Sequence, residues 1–471
     1  MKKNYTSIKL ALIAVSGLAL SINVSAQRIA GGGIQSLIVC STGTGMAAGL
    51  NGNGEVGDGT TTERNSPVSI SGLTGIIAVS GSRGSFSFAH SLALTSDGTA
   101  WAWGYNSFGE LGDNTNTNRT VPVSVTTGVT SIAAGDSHSL FLKTDSTVWA
   151  CGYAGQGQLG QGNTSNLKVP TKVSGLSGVI AIAAAYEVSY ALKKDGTVWS
   201  WGNNQNGELG DSTKTEKHTP VKVKGLSGVI AIAAGGTNGY GTFALALKSD
   251  GTVWAWGTNG LGQLCTGNTT PSLIPVQCTS LTNVTAIAAG IDHGMALKND
   301  GTVYTWGYGL YGELGNGALS FSAVTTPGKI NLTGIIAIAG GERFGLAEKN
   351  DGTLWAWGRN DYGQLGDGTT TQRLSPVQIT GACQMALGIK EASEKIAVSV
   401  YPNPANDQLT IEVEKYMNTT AEIFNLQGQL MQSARLQDSK TILAVNNLAN
   451  GMYVVKVSNA EGVSTQKFVK E

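Results

Sequence analysis

Short apolar runs alternate with glycine-rich polar turns along most of the chain, and the pattern lacks the 3.6-residue period of an amphipathic helix. In residues 284–307 an alanine-rich run is followed by a second apolar run, the dipeptide Asp300-Gly301 and a third run that contains Trp306. Asp-Gly between two short apolar runs is a strong hairpin signal, because a two-residue turn needs positive φ. A proline and a final short run follow, as at Pro220, which suits an edge strand. The pattern predicts four short β-strands per unit.

This unit occurs seven times along the chain. Its best-preserved motif, at 97–112, reads Asp-Gly-Thr-Ala-Trp-Ala-Trp-Gly-Tyr-Asn-Ser-Phe-Gly-Glu-Leu-Gly. Further copies lie at 145–160, 195–210, 250–265, 300–315 and 351–366, with a diverged copy at 42–57. Repetition at a period of about 50 residues is typical of propellers and solenoids. The Trp-x-Trp alternation places both rings on one face of a strand, so each unit has a large ring with which to pack on the next.

The repeats resemble the regulator-of-chromosome-condensation (RCC1-type) repeat, a family of seven-bladed propellers. The resemblance covers residues 28–381 and rests on the Asp-Gly-Thr-Val-Trp-Ala-Trp-Gly and Gly-Gln/Glu-Leu-Gly motifs. The diverged copy has Met46 in its Trp-x-Trp run, Cys151 replaces a second Trp and Cys265 a closing Gly. Seven four-stranded units without a helical period predict an all-β fold, a seven-bladed β-propeller. The repeat region begins with a first-strand pattern and ends with a last-strand pattern, so its two ends could meet between the first and last blades. The sequence does not show how the ring closes.

The composition changes after Gly381. A charged linker, 383–396, leads to alternating strands that predict a small immunoglobulin-like β-sandwich over 397–471. This region resembles the C-terminal sorting domain of the type IX secretion system of Bacteroidetes, through the Tyr-Pro-Asn-Pro segment at 401–404 and the segments 425–428, 451–457 and 467–470. The resemblance implies export by the secretion machinery and then release or surface attachment. An ordinary accessory sandwich is the alternative.

The first 26 residues have the parts of a secretory signal peptide, with Lys2 and Lys3 before an apolar run and a cleavage site after Ala26. An N-terminal anchor is the alternative, although the apolar run is short for a membrane span of about 20 residues. We therefore predict a signal peptide (1–26), a propeller (27–382), a linker (383–396) and a sorting domain (397–471). The mature chain is expected to be a monomer without a transmembrane span, either secreted or attached to the outer-membrane surface.

Charge and cysteine content narrow the class of protein. Lys+Arg and Asp+Glu both number 31, and no basic run occurs, so a nucleic-acid partner is not expected. The five cysteines form no Cys-x-x-Cys pair, which disfavours a zinc site. Cys265 and Cys278 could form a local disulfide or be two buried thiols. Cys40 and Cys383 would lie close if the chain ends met, but a bond between them is not predicted.

Candidate chemistry is sparse. His90, His138 and His293 share a register that holds Phe or Val in other copies, which indicates packing rather than catalysis. Glu and Gln exchange freely at one motif position, which indicates hydrogen bonding between blades rather than proton transfer. That position holds Glu55, Glu110, Gln158, Glu208, Gln263, Glu313 and Gln364. The segment 113–118 has some features of a calcium loop but lacks its sixth-position Gly and twelfth-position acid. We therefore predict no catalytic residue, metal or cofactor.

Positions that differ between copies indicate function better than those that repeat. In the loop after the third strand, the variable positions are often aromatic or Arg, the types enriched in binding hot spots. We hypothesise a binding rim of Tyr105, Phe108, Tyr153, Tyr308, Tyr311, Arg359 and Tyr362; loop packing between blades is the alternative. The predicted function is a secreted or cell-surface, non-catalytic scaffold for a protein ligand. A carbohydrate-binding or adhesion protein is the alternative, and a polysaccharide-acting enzyme is a weaker one. Some eukaryotic members of the resembling family are guanine-nucleotide exchange factors, an activity that export makes unsuitable here.

Overall fold

The computed structural model describes residues 28–82, 88–237, 239, 241–383, 398–414, 416, 419–425, 430–459 and 463–471. The chain divides into two compact units, 1–385 and 386–471. The predicted signal peptide and nearly all of the predicted linker lie outside the described residues, and the predicted domain borders stay predictions.

The first unit consists of seven antiparallel sheets, each built from four consecutive strands paired in chain order. Blades 1 to 3 contain β1 (Ile29–Gly31), β2 (Gln35–Val39), β3 (Gly45–Gly49), β4 (Arg64–Ser69); β5 (Ile76–Gly81), β6 (His90–Thr95), β7 (Ala100–Gly104), β8 (Arg119–Thr126); and β9 (Val129–Ala134), β10 (His138–Lys143), β11 (Val148–Gly152), β12 (Leu167–Lys172). Blades 4 and 5 contain β13 (Val179–Ala185), β14 (Val188–Lys193), β15 (Val198–Gly202), β16 (Lys217–Lys222); and β17 (Val229–Thr237), β18 (Gly241–Lys248), β19 (Val253–Gly257), β20 (Ser272–Gln277). Blades 6 and 7 contain β21 (Val284–Ala289), β22 (His293–Lys298), β23 (Val303–Gly309), β24 (Ser320–Lys329); and β25 (Ile335–Gly340), β26 (Phe344–Lys349), β27 (Leu354–Gly358), β28 (Arg373–Gln378). This is the predicted seven-bladed propeller.

The innermost strands contact one another in a closed cycle, from β1 through β5, β9, β13, β17, β21 and β25 back to β1. These strands are rich in Ala and Gly because they crowd around the axis. Gly31, for example, leaves no room for a Cβ against the backbone of Gly341. Each fourth strand is the outer edge and contains a proline, where the missing N–H costs no ladder bond.

The ring closes between blades 1 and 7 without strand exchange, because each blade is built from one continuous segment. A disulfide joins Cys40, in the hairpin of blade 1, to Cys383, beyond the last strand of blade 7, with a Cα–Cα distance of 5.6 Å. Our expectation that these cysteines do not bond was wrong, because ring closure brings residues 343 positions apart into contact. The Cys265–Cys278 disulfide, hypothesised from the sequence, is also formed.

Buried indoles hold neighbouring blades together. The second Trp of the motif is wholly buried, and its Nε1–H donates to a main-chain carbonyl of the preceding blade, as from Trp103 to Glu55 at 2.8 Å. In blade 3, Cys151 occupies this position, and its Sγ lies 3.5 Å from the Glu110 carbonyl. The first Trp is only partly buried, and in several blades a lysine ammonium stacks on it, as Lys193 does on Trp199.

The second unit is a sandwich of a three-stranded sheet, β29-β30-β33, and a four-stranded sheet, β32-β31-β34-β35. Its strands are β29 (Val398–Tyr401), β30 (Gln408–Val413), β31 (Thr420–Asn425), β32 (Leu430–Arg435), β33 (Lys440–Ala444), β34 (Gly451–Ser458) and β35 (Val463–Lys470). Two segments that carry the sorting-domain resemblance lie together, since Asn403 Oδ1 accepts a hydrogen bond from Val469 N at 2.9 Å and its Nδ2 donates to the Lys467 carbonyl.

Candidate binding face

Each antiparallel blade places its 1–2 loop and its 3–4 loop at the same end, and the Asp-Gly hairpins at the other. We call the first of these ends the upper face. All seven residues of the predicted rim lie there, but the described ring contacts bring six of them together in two groups rather than all seven in one ring.

The aromatic cluster consists of Phe88, Tyr105, Phe108 and Tyr153, from blades 2 and 3, all partly exposed. The Phe88 and Tyr105 rings meet edge to face with centroids 5.2 Å apart, and the Phe108 and Tyr153 centroids lie 5.0 Å apart. Tyr105 and Phe108, 6.4 Å apart, link the two pairs. Sequence analysis missed Phe88 because it lies in the 1–2 loop, outside the repeated motif.

The second group surrounds Tyr311 and is held by internal contacts. The guanidinium groups of Arg343 and Arg359 lie 4.8 and 5.1 Å from the centroid of the Tyr311 ring. Arg359 is only 9% exposed, and its Nε donates to Asp361 Oδ2 at 2.8 Å. Its guanidinium also stacks on Tyr362, 5.9 Å from the centroid. These contacts correspond to the alternative that we gave for the rim, packing between loops.

Tyr308 belongs to neither group in the described ring contacts. It is partly exposed, and its amide donates a hydrogen bond to the Asp292 carbonyl at 2.9 Å. The aromatic cluster therefore brings three of the predicted rim residues, Tyr105, Phe108 and Tyr153, into one partly exposed group of rings.

Carboxylates near the propeller axis are a feature that sequence analysis missed. Asp136, Glu187, Asp292 and Glu342 lie in the 1–2 loops of four blades, one or two residues before the second strand. Neighbouring 1–2 loops are joined by main-chain bonds, such as Asp136 N to the Tyr186 carbonyl at 3.1 Å. Burial raises the pKa of Asp136 and of Glu342 to about 7, and the charge of Glu187 contributes at Asp136. The signal in the sequence was an acid just before the His/Phe/Val register.

The exchangeable Glu/Gln position acts differently from the prediction. Its side-chain oxygen accepts a hydrogen bond from the amide two residues earlier in the same loop, as Glu110 Oε2 does from Phe108 N at 2.8 Å and Gln158 Oε1 from Gln156 N at 3.0 Å. Its main-chain carbonyl makes the bond between blades. Because the shared bond needs a single acceptor oxygen, Gln can replace Glu; at Glu55 and Glu208 the second oxygen accepts from the side chain of Asn53 or Asn206. Burial raises the pKa of Glu110 to about 8.

The buried histidines have the packing role that was predicted. His90 and His138 are 0% exposed, and burial lowers the pKa of each to about 3, so both rings are neutral. His90 Nε2 lies 2.9 Å from the Ser139 hydroxyl of the next blade, and that hydroxyl donates to the Glu110 carbonyl at 2.7 Å. His90 and His138 therefore each join two blades through a serine.

The loop that resembles a calcium site is filled by a side-chain amide. Asn106 Nδ2 donates to Asp113 Oδ1 at 3.1 Å, to Thr115 Oγ1 at 3.2 Å and to the Thr117 carbonyl at 3.1 Å. The amide nitrogen thus occupies the centre of the oxygen cage. Within the described residues, no group of three or more His, Cys, Asp or Glu side chains is arranged to hold a metal ion.

Fold and site together define a repeat propeller with loops on one face that can contact a partner, joined to a small sandwich. Six segments match the family described as Regulator of chromosome condensation (RCC1) repeat, at 97–142, 145–192, 195–239, 250–297, 300–347 and 351–388. Together they cover more than half of the chain, so the chain belongs to the RCC1-repeat family. Residues 399–471 match the family described as Secretion system C-terminal sorting domain.

Known relatives agree with this family. The chain is 31% identical over 139 residues to the Ultraviolet-B receptor UVR8 of Arabidopsis thaliana, covering 28% of this chain and 31% of the relative. It is 27% identical over 164 residues to the human Regulator of chromosome condensation, covering 34% of this chain and 37% of the relative. The matches thus span about a third of these relatives. The yeast RCC1 (Prp20) structure bound to Kap60 aligns with TM-score 0.64 and 23% identity, over 81% of this chain and 91% of that one.

The sorting domain places the protein among those that are secreted or attached to the outer surface. Of the residues that the structure describes, none forms a helix long and apolar enough to cross a membrane.

Proposed function

We propose that the mature protein is a secreted or surface-attached scaffold that binds another protein through the upper face of its propeller and catalyses no reaction. The observation that carries this proposal is the aromatic cluster, whose four rings remain partly exposed at the end of two rigid blades. Aromatic side chains are enriched among the residues that dominate binding energy at protein interfaces.

The comparisons support a binding role. The yeast RCC1 (Prp20) structure was solved with Kap60 bound, so a protein with this fold can bind another protein. Rigid blades that carry variable loops are the usual arrangement for specific binding. His90 and His138 are buried as neutral rings and contact serines of the next blade, which supports a non-catalytic role for these two side chains.

The ring geometry favours a protein over a carbohydrate as the ligand. Sugar binding uses the open face of an aromatic ring, whereas Phe88 and Tyr105 lie at an interplanar angle of 80° and Phe108 and Tyr153 at 54°. Rings packed in this way cover part of one another's faces and present edges and hydroxyls. Such mixed surfaces suit protein side chains.

The test is affinity capture from the native surroundings with the purified mature chain as bait. Replacing Tyr105 and Tyr153 with Ala should abolish capture of a specific protein while the thermal unfolding temperature stays within a few degrees. A matched control replaces Lys194 with Ala, on the opposite face, and should leave capture unchanged. If the tyrosine variant retains its partner and the lysine variant loses it, the proposed face is wrong.

A further inference from the structure

The aromatic cluster continues into a pair of carboxylates. Tyr153 N donates to the Ser137 carbonyl at 2.8 Å, which ties the loop of Tyr153 to the loop of Asp136. Tyr186 lies in the next 1–2 loop, where its carbonyl accepts the bond from Asp136 N. Burial raises the pKa of Tyr186, and the charges of Glu187, Asp136 and the Tyr153 phenol group raise it further. We call Phe108, Asp136, Tyr153, Tyr186 and Glu187 the aromatic–acidic patch.

The two carboxylates of the patch lack a cationic partner. Among the described residues, no lysine, arginine or histidine nitrogen lies within 4.0 Å of Asp136 or Glu187. The carboxylates across the axis differ, since Asp292 lies 3.6 Å from Arg343 Nε and Glu342 lies 3.7 Å from Arg359 Nη1. The patch therefore carries negative charge that the described chain does not balance.

Buried carboxyl oxygens in and under the patch also lack hydrogen-bond donors. Glu110 is 0% exposed and lies close enough to Asp136 for the aspartate charge to raise its pKa further, after burial. Its Oε1 has no hydrogen-bond partner among the described residues, and neither has the buried Asp136 Oδ1. A buried carboxylate oxygen without a donor is costly, so a donor that a ligand supplies to the partly exposed Asp136 would be favoured.

Rings and carboxylates on one surface suit a cation. A lysine or arginine side chain is attracted to the faces of aromatic rings and, through its N–H groups, to carboxylates. The patch has both, because Phe108 and Tyr153 lie in the 3–4 loops of blades 2 and 3, and Asp136 and Glu187 lie in the 1–2 loops of blades 3 and 4. An acidic polymer would be repelled by the carboxylates, and a neutral polymer would gain from the rings alone.

We propose that the aromatic–acidic patch binds a lysine or arginine side chain that a protein partner inserts between blades 2 and 4. This inference rests on the proposed function and specifies the chemistry of the partner at that face. The cationic group lies against the rings of Phe108 and Tyr153 and donates to Asp136 and Glu187. Tyr186 and Glu110, which face Asp136, supply the surrounding polar wall.

The experiment uses a fluorescent nonapeptide of three Gly-Ser-Lys repeats and the same peptide with Gln in place of Lys, with the full mature chain. Fluorescence anisotropy at low ionic strength should show binding of the lysine peptide only. The double variant Asp136→Asn with Glu187→Gln keeps the side-chain shapes and should weaken binding about tenfold. The control Glu63→Gln removes an exposed upper-face charge on blade 1 and should change the dissociation constant less than about twofold.

Ring variants separate a cation site from general charge attraction. Tyr153→Ala should weaken binding of the lysine peptide several-fold, whereas Tyr153→Phe, which retains the ring, should leave it unchanged. Equal binding by the wild type and by the Asp136→Asn, Glu187→Gln variant would overturn the inference.

Capture of the native partner distinguishes this inference from the proposed function. If the amide double variant retains the partner and the Tyr105→Ala, Tyr153→Ala variant loses it, the scaffold proposal stands and the cation site is wrong. If neither variant affects capture, the upper face itself is wrong.

Discussion

Glu110 offers a sharp test of how the blades are held together. The side chain is 0% exposed, one carboxylate oxygen accepts the Phe108 N–H at 2.8 Å, and the other has no partner among the described residues. Gln158 occupies the same position in the next blade and makes the equivalent bond to Gln156 N. We predict that Glu110→Gln removes a pH-dependent loss of stability, because Gln retains the acceptor and cannot ionise.

The magnitude follows from the pKa of Glu110, which burial raises to about 8 from an ordinary value of 4.5. The folded state then keeps a proton that the unfolded state has lost, so this glutamate destabilises the fold increasingly as pH rises from 4.5 to 8. The raised pKa lowers the free energy of unfolding by about 1 kcal/mol at pH 5.5 and by about 4 kcal/mol at pH 8, as orders of magnitude. The difference in free energy of unfolding between the wild type and the Glu110→Gln variant should therefore change by about 3 kcal/mol between these two pH values. The change favours the variant at the higher pH.

Urea unfolding followed by Trp fluorescence at the two pH values measures this change. The mirror variant, Gln158→Glu, introduces the same buried carboxylate in the next blade and should show the opposite pH dependence. Identical pH dependence in wild type and Glu110→Gln would refute the argument, since it would mean that Glu110 ionises in the folded protein as readily as in the unfolded chain.

Two further predictions concern ring closure and ligand charge. Replacing Cys40 and Cys383 with Ser should destabilise the chain more than replacing Cys265 and Cys278 with Ser, because the first bond closes a far longer loop. In the chain-entropy description the free energy of unfolding falls by roughly 6 kcal/mol for the first pair and roughly 3 kcal/mol for the second. Equal losses in urea unfolding under oxidising conditions would contradict a role of the first bond in closing the ring. Binding of the lysine peptide should tighten between pH 6 and pH 8, because Asp136, whose pKa burial raises to about 7, gains its negative charge in that range. Anisotropy titrations with a constant dissociation constant across this range would count against Asp136 as a contact.

Local sequence signals were sufficient to predict the fold. The Asp-Gly hairpins, the edge prolines and the Trp-x-Trp strands depend on neighbours a few residues away, and the repetition amplified each signal. The partner of Trp103 could not be found in this way, because it lies in another blade, and the bond between Cys40 and Cys383 depends on how the ring closes.

The candidate site was predicted only in part, for a related reason. Tyr105 and Tyr153 follow a repeated motif, so their variation could be aligned between copies. Phe88 and Asp136 lie in 1–2 loops, outside the repeated motif from which the rim positions were aligned, and only the ring geometry brings them beside the motif residues. The role of Glu110 was misassigned because sequence patterns show side chains, whereas the bond between blades is made by its main-chain carbonyl.

The central claim is that the upper face of the exported propeller binds a protein. Hydrogen exchange followed by mass spectrometry, on the mature chain with and without its captured partner, tests this most directly. We predict that the bound partner slows exchange in the loops around Tyr105 and Tyr153 and leaves exchange unchanged in the hairpin at Asp195-Gly196 on the opposite face. Protection of that hairpin, with unchanged exchange in the loops of the aromatic cluster, would contradict it.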